Sequence, residues 1–141
     1  MAGYGASSST RRALASGVAA RVAGAVLCVA VAVIHVLDQG GFPGSKEPAY
    51  VGILYYILEA AGVLTALLLI AGWERVGWIL ALGVAAGPFA GYMLSRGTGL
   101  PDYSDDMGNW AEPLGILSLV VEAGLFVLAI VILRRGLPSG R

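Results

Sequence analysis

Two glutamates interrupt otherwise uncharged apolar stretches of this chain. The first lies in Gly52-Ile53-Leu54-Tyr55-Tyr56-Ile57-Leu58-Glu59-Ala60. The second lies in Gly115-Ile116-Leu117-Ser118-Leu119-Val120-Val121-Glu122-Ala123. Both follow one form: Gly-Ile-Leu, four residues, Glu-Ala. Apolar composition alone accounts for the Ile and Leu matches. It does not account for the acids, because a charge at the centre of a membrane helix costs about 2.5–3.5 kcal/mol on an insertion scale. Acids kept at such positions need a partner, and the chemistry they offer is binding of a proton, a cation or the polar end of a small amphipathic ligand.

Other polar groups fall near the same level. Tyr55 and Ser118 occupy matching positions one turn before Glu59 and Glu122. At helical spacing, Gly52, Tyr55 and Glu59 share one face, as do Gly115, Ser118 and Glu122. His35 and Tyr92 sit in two further apolar stretches, toward the end at which Tyr55 and Ser118 lie. Glu59, Glu122, His35, Tyr55, Ser118 and Tyr92 are therefore the candidate ligand- or proton-binding residues, expected to line a polar chamber with the two acids at its floor. Glu59 and Glu122, at one depth on repeat-related helices, could face each other across it; the sequence does not decide whether they do. As a general acid, either one would also suit an enzyme acting on a lipid, quinone or isoprenoid.

The remaining motifs are negative. The one histidine and one cysteine give neither the Glu-x-x-His pairs of a di-iron bundle nor a Cys-x-x-Cys site, so no metal is expected. There is no phosphate-binding glycine loop and no Ser-His-Asp arrangement, so no cofactor and no catalytic residue is assigned. Basic residues are few and sit at helix ends, which excludes nucleic acid as a partner. Asp102, Asp105 and Asp106 read as a solvated acidic loop, and Arg96 as an anchor reaching for the interface.

The elements that carry these residues follow from composition. Of 141 residues, 57% are hydrophobic and 13% charged; soluble domains carry about 25% charged residues. The apolar residues fall into four blocks, 17–37, 50–71, 76–95 and 113–133. Each is close to the roughly 20 residues that cross a bilayer as a helix. An all-α membrane protein of four transmembrane helices is predicted, with a disordered tail over 1–16 and a short basic tail over 134–141. No room remains for a separate soluble domain. The Gly72-Trp73-Glu74-Arg75 turn is short enough to make the second and third helices antiparallel neighbours.

Arg11, Arg12, Arg21, Arg75, Arg134, Arg135 and Arg141 fall on one side of four crossings, against Lys46 and Arg96 on the other. By the positive-inside rule both termini are cytoplasmic and both long, acidic loops face outward, as in a multi-pass protein of a bacterial plasma membrane. The Glu59 and Glu122 motifs, with the Gly41-Phe42-Pro43 and Gly99-Leu100-Pro101 echo before them, predict two duplicated helical hairpins in parallel orientation. Gly83, Gly87 and Gly91 repeat every fourth residue and predict close helix packing, internally against the first helix or against another copy. Beyond the lipid bilayer, the partners this allows are a homodimer or a larger membrane complex, in which the chain would be a structural or accessory subunit.

The run Gly91-Tyr92-Met93-Leu94-Ser95-Arg96, Gly99-Leu100-Pro101, Asp105-Asp106-Met107-Gly108-Asn109-Trp110, Glu112-Pro113-Leu114-Gly115 and Glu122, with His35, resembles small four-helix membrane proteins of high-GC, actinobacterial-type bacteria. The resemblance implies the four-helix fold and carries no assigned activity.

Overall fold

The computed structural model describes residues 4–136, and the side chains of all of these except 4–7 and 15. The chain is all-helical in these residues: α1 (Tyr4–Asp38), α2 (Ala49–Ala71), α3 (Glu74–Gly97) and α4 (Pro113–Arg134). All four are long and apolar enough to cross a membrane. Residues 4–16, read from sequence as a tail, instead begin α1. They contain alanine, arginine and leucine and no proline, and such residues propagate a helix once it has started. Residues 1–3 and 137–141 of the two expected tails lie outside the described residues.

Each helix end has a local cause. Gly72 closes α2 with φ 86°, and the Gly72 and Trp73 amides bond back to Leu69 and Leu68. That left-handed cap needs no Cβ, and it sends the chain straight into α3. Arg21 of α1 reaches this turn and lies 3.8 Å from Glu74. Glu112 caps α4, its carboxylate accepting from the Leu114 and Gly115 amides at 3.1 and 2.7 Å, with Pro113 at the first helical position. α3 continues through Pro88 as one helix.

The helices close a ring in which α1 packs on α2, α2 on α3, α3 on α4 and α4 on α1. α1 also approaches α3 across the ring, whereas α2 and α4 do not meet among the described residues. The core contains Cys28, Val31, Leu69, Trp78, Ala81, Leu125 and Ala129. Outside it, Val26, Val33, Ile53, Leu67, Ile79 and Val127 leave an apolar surface on every helix. Water does not tolerate apolar patches of that extent on a monomer.

The glycines that seat the helices are not the predicted ones. A Cβ on Gly24 would come within 2.6 Å of Trp78, one on Gly62 within 2.9 Å of the Cys28 carbonyl, and one on Gly77 within 2.8 Å of Leu69. At Gly83, Gly87 and Gly91 a Cβ would meet nothing within 4 Å. The expected internal packing of that stripe is therefore not made. α1 receives α3 where Trp78 packs on Gly24, near the Gly72 end, and the stripe is left facing open space. This contrast is testable by unfolding in mixed micelles, followed by circular dichroism. Gly62→Ala is expected to lose about 1–3 kcal/mol, because its obstacle is backbone. Gly83→Ala is expected to gain up to about 1 kcal/mol, because a mid-helix glycine is replaced at no steric cost.

Candidate functional site

Five of the six predicted ligand- or proton-binding residues, His35, Tyr55, Tyr92, Ser118 and Glu122, line one groove of about 400 Å³, within the roughly 300–1,000 Å³ usual for small-molecule sites. Ile34 and His35 of α1 and Gly115, Ser118 and Glu122 of α4 form its back wall, all of them buried. Leu54 and Ile57 of α2 face Leu80, Gly83 and Gly87 of α3 across its lips, and these are exposed. The groove thus opens sideways between α2 and α3. Those helices are joined tightly at Gly72 and frame the opening toward their other ends. Tyr55 and Tyr92 also line it.

Glu122 is the deepest acid in the groove. It lies nine residues into α4, about 14 Å from the start of the helix at 1.5 Å per residue. It is 2% exposed. Ser118, one turn earlier, donates its hydroxyl to Glu122 Oε1. Glu122 Oε2 is buried and has no hydrogen-bond partner among the described residues. Leaving such an oxygen unpaired is costly in an apolar setting. The geometry therefore presents an acceptor with a free position.

Glu59 lies at a similar depth, ten residues into α2, but it is not part of the groove. It belongs with Gly52, Gly62, Ala66 and Leu69 to the buried seam of α2, whose Gly62 touches α1 at Cys28. α2 and α4 are opposite members of the ring, and Glu59 Oε1 and Glu122 Oε2 are each left without a hydrogen-bond partner among the described residues. The repeat left open whether the two acids face each other, and only Glu122 lines the groove: equal depth does not fix which way a helix turns its face.

His35 bonds through Nδ1 to the Val31 carbonyl at 2.9 Å and packs edge-on against Tyr55, ring centroids 5.2 Å apart. A bond to a carbonyl requires the proton on Nδ1, which leaves Nε2 of the neutral ring as an acceptor. Tyr55 donates to Asp38, and Asp38 pairs with Lys46 at 3.1 Å. Lys46 also lies over the Tyr55 ring, 5.5 Å from its centroid.

The opposite corner of the mouth is built on Arg96, which is buried at 9% exposure rather than reaching outward as an anchor. Its Nη1 donates to Ser95 Oγ at 2.9 Å and to Asp106 at 3.0 Å, and Nη2 lies 3.6 Å from Glu112. The guanidinium covers the Tyr92 ring at 4.4 Å. Tyr103 donates to the same Asp106 oxygen at 2.5 Å. Burial and that carboxylate together push the Tyr103 phenol above its ordinary pKa. The loop between α3 and α4, read from sequence as solvated, is therefore folded onto the groove in part. The Leu100 and Tyr103 amides and carbonyls bond reciprocally at 2.9 Å, and the Gly108 amide returns to the Arg96 carbonyl at 2.9 Å. Tyr50 at the start of α2 donates to the Pro101 carbonyl at 2.7 Å, tying both sides of the mouth.

Asp38, Arg96, Asp106 and Glu112 all line the groove, and sequence reasoning did not place them there. One signal was present: an arginine in the last turn of an apolar helix, followed by an acidic loop able to fold back on it. No group of three or more His, Cys, Asp or Glu suited to a metal ion occurs among the described residues. No family model, curated protein or solved structure matches the chain.

Proposed function

We propose that this chain is a multi-pass membrane protein that binds a small amphipathic molecule taken up sideways from the bilayer. The observation that carries the reading is the groove itself: apolar lips, a polar mouth and a buried acid in the back wall. A molecule held there would keep its polar end inside and its apolar part toward the gap between α2 and α3. The arginine distribution supports cytoplasmic termini and an outward mouth.

Two related hairpins remain part of the proposal. The last turn of α1 pairs with the following loop through Asp38 and Lys46, and the last turn of α3 does so through Arg96 and Asp106. Gly52 and Gly115, the matching glycines, are both tightly packed, against Lys46 and Tyr92. On this reading the hairpins have diverged, and only the second keeps its glutamate at the site.

Gly87→Leu tests the reading. Leucine at this groove-facing position fills the space, while Gly124→Leu adds the same bulk on the exposed outer face of α4, where a Cβ also meets nothing. Native mass spectrometry of protein released from lipid nanodiscs is expected to find a bound amphiphile on the wild type and Gly124→Leu. On Gly87→Leu its affinity is expected to fall at least about tenfold, equivalent to about 1.4 kcal/mol, and its occupancy to fall with it. Equal occupancy in all three would overturn the reading. The uncovered glycines also suit a docking face in an accessory subunit. In that case Gly87→Leu removes a protein partner or second copy from the spectrum instead of a small mass.

A further inference from the structure

Resting on that reading, we propose the class of head group: the groove takes a single-chain amphiphile ending in a protonated amine, with the Glu122 carboxylate as its counter-ion. Three observations converge on this class.

The first is charge. Among the described residues, Asp38, Asp106, Glu112 and Glu122 line the groove against one lining cation, Arg96. Lys46 offsets Asp38 from outside the lining. An anionic head would enter a field of its own sign, whereas a cation is favoured by it.

The second is that Arg96 is already committed. Its two terminal nitrogens serve Ser95, Asp106 and Glu112, and its face is covered by Tyr92. Nη2 is held by Glu112 as an ion pair at 3.6 Å, and Nε is buried without a partner among the described residues. A carboxylate or phosphate seeking the usual two-pronged grip on arginine would have to displace Asp106 or Glu112.

The third is donor–acceptor matching. Ser118 spends its proton on Glu122 Oε1, and Glu122, which lines the groove, has no donor for its buried Oε2 among the described residues. Higher in the back wall, the His35 Nδ1 bond leaves Nε2 as an acceptor too. The wall therefore offers acceptors, and an ammonium group carries three donors and no acceptor. Pairing it with Glu122 would place both buried charges in contact and satisfy the orphaned oxygen. The alkyl chain would leave through the gap between Leu54 and Ile57 on one side and Leu80 on the other.

The test uses the full-length protein in phosphatidylcholine nanodiscs at neutral pH, where an alkylamine is protonated. Dodecylamine, dodecanol and dodecanoate are titrated separately and occupancy is read by native mass spectrometry. The amine is expected to bind at least about tenfold more tightly than the alcohol, a difference of about 1.4 kcal/mol, and the carboxylate more weakly than either. Glu122→Gln, which keeps a group for Ser118 to donate to, is expected to lower the amine to the level of the alcohol and leave the alcohol unchanged. Glu59→Gln, outside the groove, is expected to change nothing. Should Glu122→Gln not fold, the ranking of the three heads on the wild type still decides.

The outcomes separate the two claims. If all three bind alike and Gly87→Leu weakens all three, the groove stands and the amine assignment is overturned. Tightest binding of dodecanoate overturns it in favour of Arg96. If Gly87→Leu alters none of them, the molecules only partition into lipid, and the binding reading itself fails.

Discussion

Replacing Arg96 with alanine is expected to destabilise the protein by about 2–3 kcal/mol, among the largest effects of any single polar substitution. The guanidinium is buried and holds the end of α3, the loop after it and the cap of α4 at one point. Its removal leaves Asp106 and Glu112 without the counter-charge they share. Breaking a fully buried pair costs about 3–5 kcal/mol. The two carboxylate side chains are 24% and 25% exposed, so water recovers part of that cost. Arg96→Lys should recover less than half, because an ammonium cannot grip two carboxylates and cover Tyr92 at once. Unfolding in mixed micelles measures the loss. Trp110 fluorescence provides a local readout, since the Trp110 carbonyl accepts from Tyr92 at 2.8 Å and its ring packs edge-on against the Tyr92 ring. An Arg96→Ala variant as stable as wild type, with unchanged Trp110 emission, would show that the cluster is incidental.

Trp78→Ala is expected to cost about 3 kcal/mol, at the low end of the range for large aromatic truncations. Trp78 is 0% exposed and fills the space between α1 and α3 near the Gly72 end. In lipid, apolar surface gains little by leaving its surroundings, so the loss is mainly of packing contacts and not of transfer energy. Trp73, 55% exposed beside the Gly72 turn, gives the contrast. Trp73→Ala should stay within about 0.5 kcal/mol of wild type. Gly24 supplies the mechanism. The two nearest atoms to a Cβ there are Cη2 and Cζ3 of Trp78, from the outer edge of the indole, with the flexible end of Leu69 next at 3.0 Å. Phenylalanine lacks that edge, so Gly24→Ala should be destabilising in the wild type but tolerated in a Trp78→Phe background. The two sites should couple by about 1 kcal/mol or more. Strict additivity would show that α1 and α3 do not seat through this contact.

The sequence by itself determined the number of helices, and the reason is local. Twenty apolar residues between turn-forming segments form a helix whatever they pack against, because each backbone bond closes within four residues. The helix-ending turn at Gly72 is local in the same sense. So is the depth of each polar group, since helical rise converts position into distance. Glu122, Ser118, His35, Tyr55 and Tyr92 could therefore be picked out together as candidates. What the sequence did not determine was rotation about each helix axis, which is set by neighbours distant in the chain. Glu59 and Glu122 share a motif and a depth. Only packing decided that Glu59 turns into the seam that meets α1, while Glu122 lines the groove. The glycines show the same limit. Spacing marked Gly83, Gly87 and Gly91, but the helices seat on Gly24, Gly62 and Gly77, because a small residue matters only where another backbone or ring arrives. Arg96 completes the contrast. Its charge and its place at a helix end are written in the chain. Its burial between Asp106 and Glu112 exists only because the intervening loop folds back across the mouth of the groove.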